Sequence, residues 1–532
     1  MKRCLYIVLL TLSFLSLSAQ THVYLEHSDV LAFDEKRLPD AQILRGDVRF
    51  RHEDALMFCD SAYFYDRTNS VIAFGHIRFE QGDTLFGYGD RLYYDGNTRL
   101  ARLCRNVQLV HRTTTLTTDS LNYDRNLSLA YYFTGGTIKD SLNLLRSVWG
   151  QYHTSTSEAI FRNSVHLQNN SFTFDTDTLH YNTRTNIARI VCSTVIVYDG
   201  ETEIRSANGW YNTATEQSTL YDRSLITHTD GKSLTGDTIF YDKREGIGRL
   251  FHHILIDDTV QHIALMGHYG MMWEKEERAF ATDSAMLIDY SQADTAFLHA
   301  DTLFTEQVPY HDSILGDTTY RQLRAYHHVR GFHPDYQLVC DSLYFSARDS
   351  MMTLCGLPVC WSDSNQVLAD SMFIYFRNDH LDHIDGIGSA LATRQVNDRY
   401  FDQITGKQMT AFFTDNEIRR VDVSGNAQTI YYPKDDDGEI IGVNKTESSM
   451  VQVFMHERKI HHVLFTTATT GVLYPLEQLP EAEHQLPVFF WADNERPKAK
   501  EDIFLQPGRT ERPKLTAASA SDEQQTEILR KK

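Results

Sequence analysis

Asp90-Arg-Leu-Tyr-Tyr94, then Asp95-Gly96-Asn97, then Leu103-Cys-Arg-Asn-Val-Gln-Leu109 is the stretch whose reading decides the fold. Its first phrase is short, β-prone and bounded by polar residues, which marks a strand. A period of two puts Leu92 and Tyr94 on one face of that strand. Asp, Gly and Asn then supply turn chemistry, because they bond to their own main chain or accept left-handed backbone. The second phrase holds two apolar residues, a polar pair and an alternating run. It is read as a strand, a corner and a strand, the corner being where backbone bends sharply.

The same two phrases recur. The first returns as Asp60-Ser-Ala-Tyr-Phe-Tyr65, Asp119-Ser-Leu-Asn-Tyr123, Asp177-Thr-Leu-His-Tyr181, Ala207-Asn-Gly-Trp-Tyr211 and Asp237-Thr-Ile-Phe-Tyr241, with weaker copies at Gly150-Gln-Tyr152, Asp301, Asp341 and Asp370. The second returns as Gly46-Asp-Val-Arg-Phe50, Ala73-Phe-Gly-His-Ile-Arg-Phe79, Ile160-Phe-Arg-Asn-Ser-Val-His-Leu167, Leu250-Phe-His-His-Ile-Leu-Ile256 and Gly425-Asn-Ala-Gln-Thr-Ile430. The step is roughly thirty residues, a unit that cannot bury its apolar face alone and must stack on its neighbours. The expectation is an all-β, elongated stack of bent sheet with almost no helix. A propeller is the alternative, but the units are shorter than the roughly 40–50 residues of a four-stranded blade. The period breaks over about 260–340, where a joint, a second domain or an insert would account for it.

These residues resemble the OstA-like (organic solvent tolerance) domains, with the LptA-like proteins as the soluble members, and the layout is similar to the long OstA-like proteins of Bacteroidetes-type bacteria. The resemblance is clearest from about Gly46 to Ile256 and thinner to about Phe465. It implies a β-jellyroll drawn as a V-shaped sheet, whose two faces enclose an apolar groove along which lipid A acyl chains pass in lipopolysaccharide transport. It implies a periplasmic protein, associated with the outer membrane, that meets other transport components or its own copies end to end by strand addition. Carried over position by position, the groove lining falls on Leu92, Tyr94, Val107, Leu109, Leu121, Tyr123, Leu179, Tyr181, Ile239 and Tyr241. The competing expectation for each is that it packs one sheet against the other, giving an exported structural or adhesive β-solenoid with a self-filled core.

The rest of the sequence fits an exported, non-enzymatic binder. Lys2 and Arg3 precede an apolar run, Cys4 to Leu17, and Ser18-Ala19-Gln20, the pattern of a secretory signal peptide over 1–19. The expected organisation is clear repeats over 20–260, more degenerate repeats over 261–474, and a Pro-rich tail over 475–532 whose end is disordered. Six of the 11 prolines (Pro475, Pro480, Pro487, Pro497, Pro507 and Pro513) lie in that tail, because proline removes the N–H that paired strands need. Val488-Phe-Phe-Trp491 is expected to dock back on the stack. The formal net charge of −20 argues against nucleic-acid partners.

No catalytic residue, metal or cofactor is expected. His252-His253, His327-His328 and His461-His462 are strand neighbours that should point to opposite faces, so none chelates one ion. Asp435-Asp-Asp-Gly438 lacks the remaining ligands of a calcium loop. The Asp at the head of each tyrosine strand suits repeated strand-start hydrogen bonding, whereas glycoside hydrolysis needs one carboxylate pair in one cleft. Cys59, Cys104 and Cys192 are expected as free thiols, and Cys355 and Cys360 flank a turn that a disulfide would close.

Overall fold

The computed structural model describes residues 22–312, 316–378, 380–414, 417–435, 437–456 and 459–508. The signal-peptide segment, Asp436 and the final stretch from 509 onward lie outside the described residues. Among those described, the chain is all-β: antiparallel strands, no α-helix, and four short 3-10 turns at Asp66–Thr68, Leu476–Gln478, Glu481–His484 and Lys500–Phe504. Two compact units divide it. The first ends at Thr229 and takes back Thr238–Arg244; the second holds Asp230–Asp237 and resumes at Glu245.

In the first unit the strands Leu38–His52, Ala55–Tyr65, Ser70–Gln81, Leu85–Asp95, Leu100–His111 and Thr114–Asp124 pair in sequence order. Each pairing shifts register once, halfway along, for example between Phe74 and Ile77. At these shifts two consecutive residues adopt positive φ: Gly46/Asp47, Gly75/His76, Arg105/Asn106 and Asn163/Ser164. Of the six strands, Leu38–His52, Ser70–Gln81 and Leu100–His111 carry such a pair, which bends an extended strand sharply and takes it from one wall to the other. The corners predicted from the second phrase are these pairs.

The repeated Asp supports the corner beside it. His76 Nδ1 lies 2.7 Å from Asp60 Oδ2, and Asn106 Nδ2 donates to Asp90 Oδ2 at 2.7 Å. In the second unit His253 Nδ1 meets Asp237 Oδ2 at 2.7 Å and His328 Nδ1 meets Asp301 Oδ2 at 2.8 Å. Gly75, at φ +74°, is pressed against Asp60, so a Cβ there would meet that side chain. The histidine pairs therefore need correction. His252/His253 and His327/His328 are not strand neighbours on opposite faces; both members of each pair have positive φ and form corners. At His461 and His462 a register shift brings the two Nδ1 atoms within 2.9 Å. No group of three metal-ligating side chains is found among the described residues.

The far ends of the strands carry the expected turns. Asp95, Asp124 and Asn182 each accept from the backbone N–H groups two and three residues on. The turns also stack: Asn97 Nδ2 donates to the Thr68 carbonyl and Asn126 Nδ2 to the Thr98 carbonyl.

In the second unit, corners continue at Asp283/Ser284, His327/His328, Gly356/Leu357, Gly388/Ser389 and Gly425/Asn426. The long interval before His327 is explained by the pairing of Ala296–Asp312 with Gly316–Phe332, two strands of 17 residues each. The strand order is unbroken there and only the hairpin is longer. After Tyr474 the chain stops pairing and runs back across one wall as a strap. Leu479, Leu486, Val488, Phe490 and Ala492 join Val339, Val359, Trp361, Leu368, Leu391 and Ile430 in one core. The Phe489 and Trp491 rings pack on Phe401, at 5.3 and 5.1 Å between centroids. Val488–Trp491 thus docks back as expected. Cys355 and Cys360 are not bridged; the Cys360 thiol lies 3.7 Å from Met372 Sδ.

Candidate functional site

The first unit encloses an interior between two walls, and its lining follows from the period of two on either side of each corner. Leu92 pairs with Leu103 and Leu103 with Leu121, so these side chains form one row across the strands. One step farther from the corner, tyrosines alternate with small residues. Tyr94 pairs with Ala101, Ala101 with Tyr123, Tyr123 with Ala130, Ala130 with Tyr152, Tyr152 with Ala159 and Ala159 with Tyr181. The row goes on through Ala188, Tyr211 and Ser218 to Tyr241. A small neighbour on each side leaves room for a tyrosine ring to lie flat along the wall.

Eight of the ten residues carried over from the resemblance (Leu92, Tyr94, Leu121, Tyr123, Leu179, Tyr181, Ile239 and Tyr241) share this wall. Val107 and Leu109 follow the Arg105/Asn106 corner and stand on the opposite one. All ten are buried, none above 3% exposed. An open hollow of about 460 Å³ lies elsewhere, on the outward side of the first strands against Val30, Ala32, Phe33, Ile43 and Arg45.

The tyrosine hydroxyls reach the free ends of the opposite wall. Tyr94 Oη lies 2.6 Å from His52 Nδ1. Tyr123 Oη donates to Gln81 Oε1 at 3.0 Å, Tyr152 Oη lies 3.0 Å from His111 Nδ1, and Tyr181 Oη donates to Asp140 Oδ2 at 3.0 Å. The partners are 42, 42, 41 and 41 residues apart. His52, Gln81, His111 and Asp140 stand at hairpin tips on one rim; the tyrosines stand beside the turns of the other. Each bond therefore crosses the mouth of the bent sheet. Other side chains cross with them. Arg125, buried, donates to Tyr94 Oη at 2.7 Å and to Asp54 Oδ1 at 2.5 Å, and Arg99 pairs with Glu53. Asn143 Nδ2 donates to Tyr181 Oη at 2.9 Å and to Thr213 Oγ1 at 3.2 Å.

Burial raises the Tyr94 hydroxyl above its ordinary range, with Arg125 working against it. Burial raises Tyr123 as well, and burial with the adjacent Asp140 carboxylate raises Tyr181. These phenols stay protonated near neutrality and serve as donors. Burial, and then Arg112, holds His111 below the usual histidine range, so it presents a neutral ring to Tyr152.

The polar partners were missed at the sequence level. The signal was there: His52, Gln81 and His111 each stand two residues after the apolar residue that closes a second phrase (Phe50, Phe79 and Leu109).

Comparison with known proteins gives one family and one structural likeness. Residues 20–177 match the model of the family described as OstA-like protein. No protein with a curated description matches. Among solved structures, the chain is similar to LptH of Pseudomonas aeruginosa, described as the LptA homologous periplasmic component of the conserved lipopolysaccharide transport device. That likeness has 15% identity and a TM-score of 0.21, over 26% of this chain and 95% of that one. The repeated strand phrases and the bent strands agree with that family match: over residues 20–177 the chain is similar to the OstA-like proteins.

Proposed function

We propose that the protein binds lipopolysaccharide in the periplasm, shields the lipid A acyl chains between its two walls, and helps to bridge toward the outer membrane. The observation that carries this is the continuous inner face of a repeatedly bent sheet, apolar row upon row, within an OstA-like domain. Burial of acyl chains on such a face contributes about 0.8 kcal/mol per CH₂. With a formal net charge of −20, little attraction for an anionic head group is expected, so binding is driven by the chains. The ten lining positions named above are the proposed contacts, reached when the walls separate. The domain scheme of repeats over 20–260 and 261–474 followed by a tail over 475–532 belongs to the same proposal, as does export by residues 1–19.

End-to-end partners, other transport components or a second copy, would add to exposed terminal strands. At one end these are Tyr24–His27 and Val30–Asp34, with Val30, Leu31 and Phe33 exposed. At the other is Thr470–Tyr474, with Val472 and Leu473 exposed. Unpaired edges of this kind favour strand addition.

Photo-crosslinking residues placed at Tyr123 and Tyr181 test the reading in cells: adducts with lipopolysaccharide are expected. Protein–protein adducts alone would refute it. A second reading, an exported structural β-solenoid with a self-filled core, is favoured by one observation, the near-complete burial of all ten positions by the protein's own side chains.

A further inference from the structure

With the rims together there is no room for an acyl chain in the first unit. Leu92, Leu121, Leu179 and Ile239 are at 0% exposure, and the tyrosine row lies over them. Entry therefore requires the two walls to part along their mouth. That mouth is closed by the four cross-rim bonds Tyr94–His52, Tyr123–Gln81, Tyr152–His111 and Tyr181–Asp140, with the Arg99–Glu53 and Arg125–Asp54 ion pairs at one end.

We propose that this row of hydrogen bonds is a lateral gate, which parts to admit acyl chains from the side and closes again when they leave. The proposal rests on the lipid-binding reading above and names how that site is controlled. A polar seam suits the task. When it opens, each hydroxyl, imidazole and amide finds water, so the net loss per bond is small, whereas an apolar seam would expose its contact area outright. The even spacing adds a second property. Each bond joins the same two positions of the repeat, so the seam opens one unit at a time, and a chain is admitted without all bonds breaking together.

The test uses the full mature chain and fluorescently labelled lipopolysaccharide as probe, with uptake followed by stopped flow. In one variant, Tyr123→Phe with Tyr152→Phe, two cross-rim bonds are lost and the rings are kept. Uptake is expected to be about tenfold faster or more, the effect of removing two net hydrogen bonds from the closed state. In a second, Glu53→Cys/Arg99→Cys and Asn143→Cys/Thr213→Cys are each bridged by a reductively cleavable bis-maleimide in a Cys355→Ser background. Uptake by the bridged protein should fall at least tenfold and return when the bridges are cleaved. The cleaved protein is the folding control, being the same polypeptide. If bridged and cleaved forms take up the probe alike, or the phenylalanine variant is no faster than wild type, the gate is wrong while lipid binding stands. If no form binds the probe, the lipid-binding reading fails and the gate falls with it.

Discussion

Gln366 holds the strap of the second unit, and its removal should release that strap before anything else. Its side chain is wholly buried. Nε2 donates to the Phe490 carbonyl at 2.7 Å, and Oε1 accepts from the Ala492 N–H at 2.8 Å and from Trp361 Nε1 at 3.2 Å. One amide thus satisfies a carbonyl and an N–H of the strap backbone, as a neighbouring strand would. Gln366→Leu keeps the volume and leaves three buried polar groups without partners. At about 1–3 kcal/mol each, the direct cost is roughly 3–9 kcal/mol if nothing moves. The strap has an alternative, because it is held along one wall and rehydrates Phe490 and Ala492 by lifting away. The loss in global stability is therefore limited to the free energy of strap docking. Limited trypsin digestion reads this out at Lys498 and Lys500, since Arg496 precedes Pro497 and resists cleavage, and tryptophan fluorescence during urea unfolding reports on Trp361 and Trp491. Cleavage at these two sites should accelerate at least tenfold while the sheet stays intact. Gln403→Leu, which loses bonds to the His484 carbonyl and the Leu486 N–H, should act the same way, and the two changes together should cost less than their sum. If cleavage is as slow as in wild type and the unfolding free energy is within about 0.5 kcal/mol, the account of the strap is refuted.

Lowering the pH from 7.5 to 5.5 should destabilise the wild type more than His111→Gln. His111 is held below its ordinary value, so as pH falls below about 6.5 the unfolded chain takes up its proton first and stability drops; equal slopes in urea midpoints would count against this. His299, also lowered by burial, is present in both proteins and cancels in the difference. Gly75→Ala places a Cβ in left-handed backbone against Asp60 and should cost about 1–2 kcal/mol from the backbone alone, plus the contact. Adding Asp60→Ala should recover part of that in a double-mutant cycle, and strict additivity would refute the contact. Leu31→Lys and Leu473→Lys change exposed edge positions and should weaken end-to-end association, seen by sedimentation, with melting unchanged; unaltered association would remove the edges as docking sites.

The strand phrases, their turns and the corners were legible because each rests on local chemistry. Period two fixed the faces, Asp95 and Asp124 fixed the turns, and Gly75 and Asn106 marked the bends. The recurring Asp was legible as strand-start hydrogen bonding, although its partner, the corner residue one strand later, was not named. Two features escaped because they join residues far apart in sequence. The cross-rim bonds connect positions more than forty apart and need the bend to bring the walls together. The strap binds through glutamine side chains to backbone, a contact with no composition or period of its own. Two of the histidine pairs, His252/His253 and His327/His328, misled for a different reason: strand alternation does not hold for residues in left-handed backbone.

The paired left-handed corners also bear on how such a chain changes over evolutionary time. A strand that carries a corner is indexed from it, so residues between a corner and a rim count strictly: one inserted residue there turns each later side chain of that arm to the other face. Residues added at a rim count for nothing inside. The 17-residue pair Ala296–Asp312 and Gly316–Phe332 is such an addition, and it leaves the corners at Asp283/Ser284 and His327/His328 in place. Natural length variation should therefore gather at the hairpin tips and be nearly absent next to the corners. The molecule grows either by lengthening its tips or by gaining whole units, and is closed to almost every change in between.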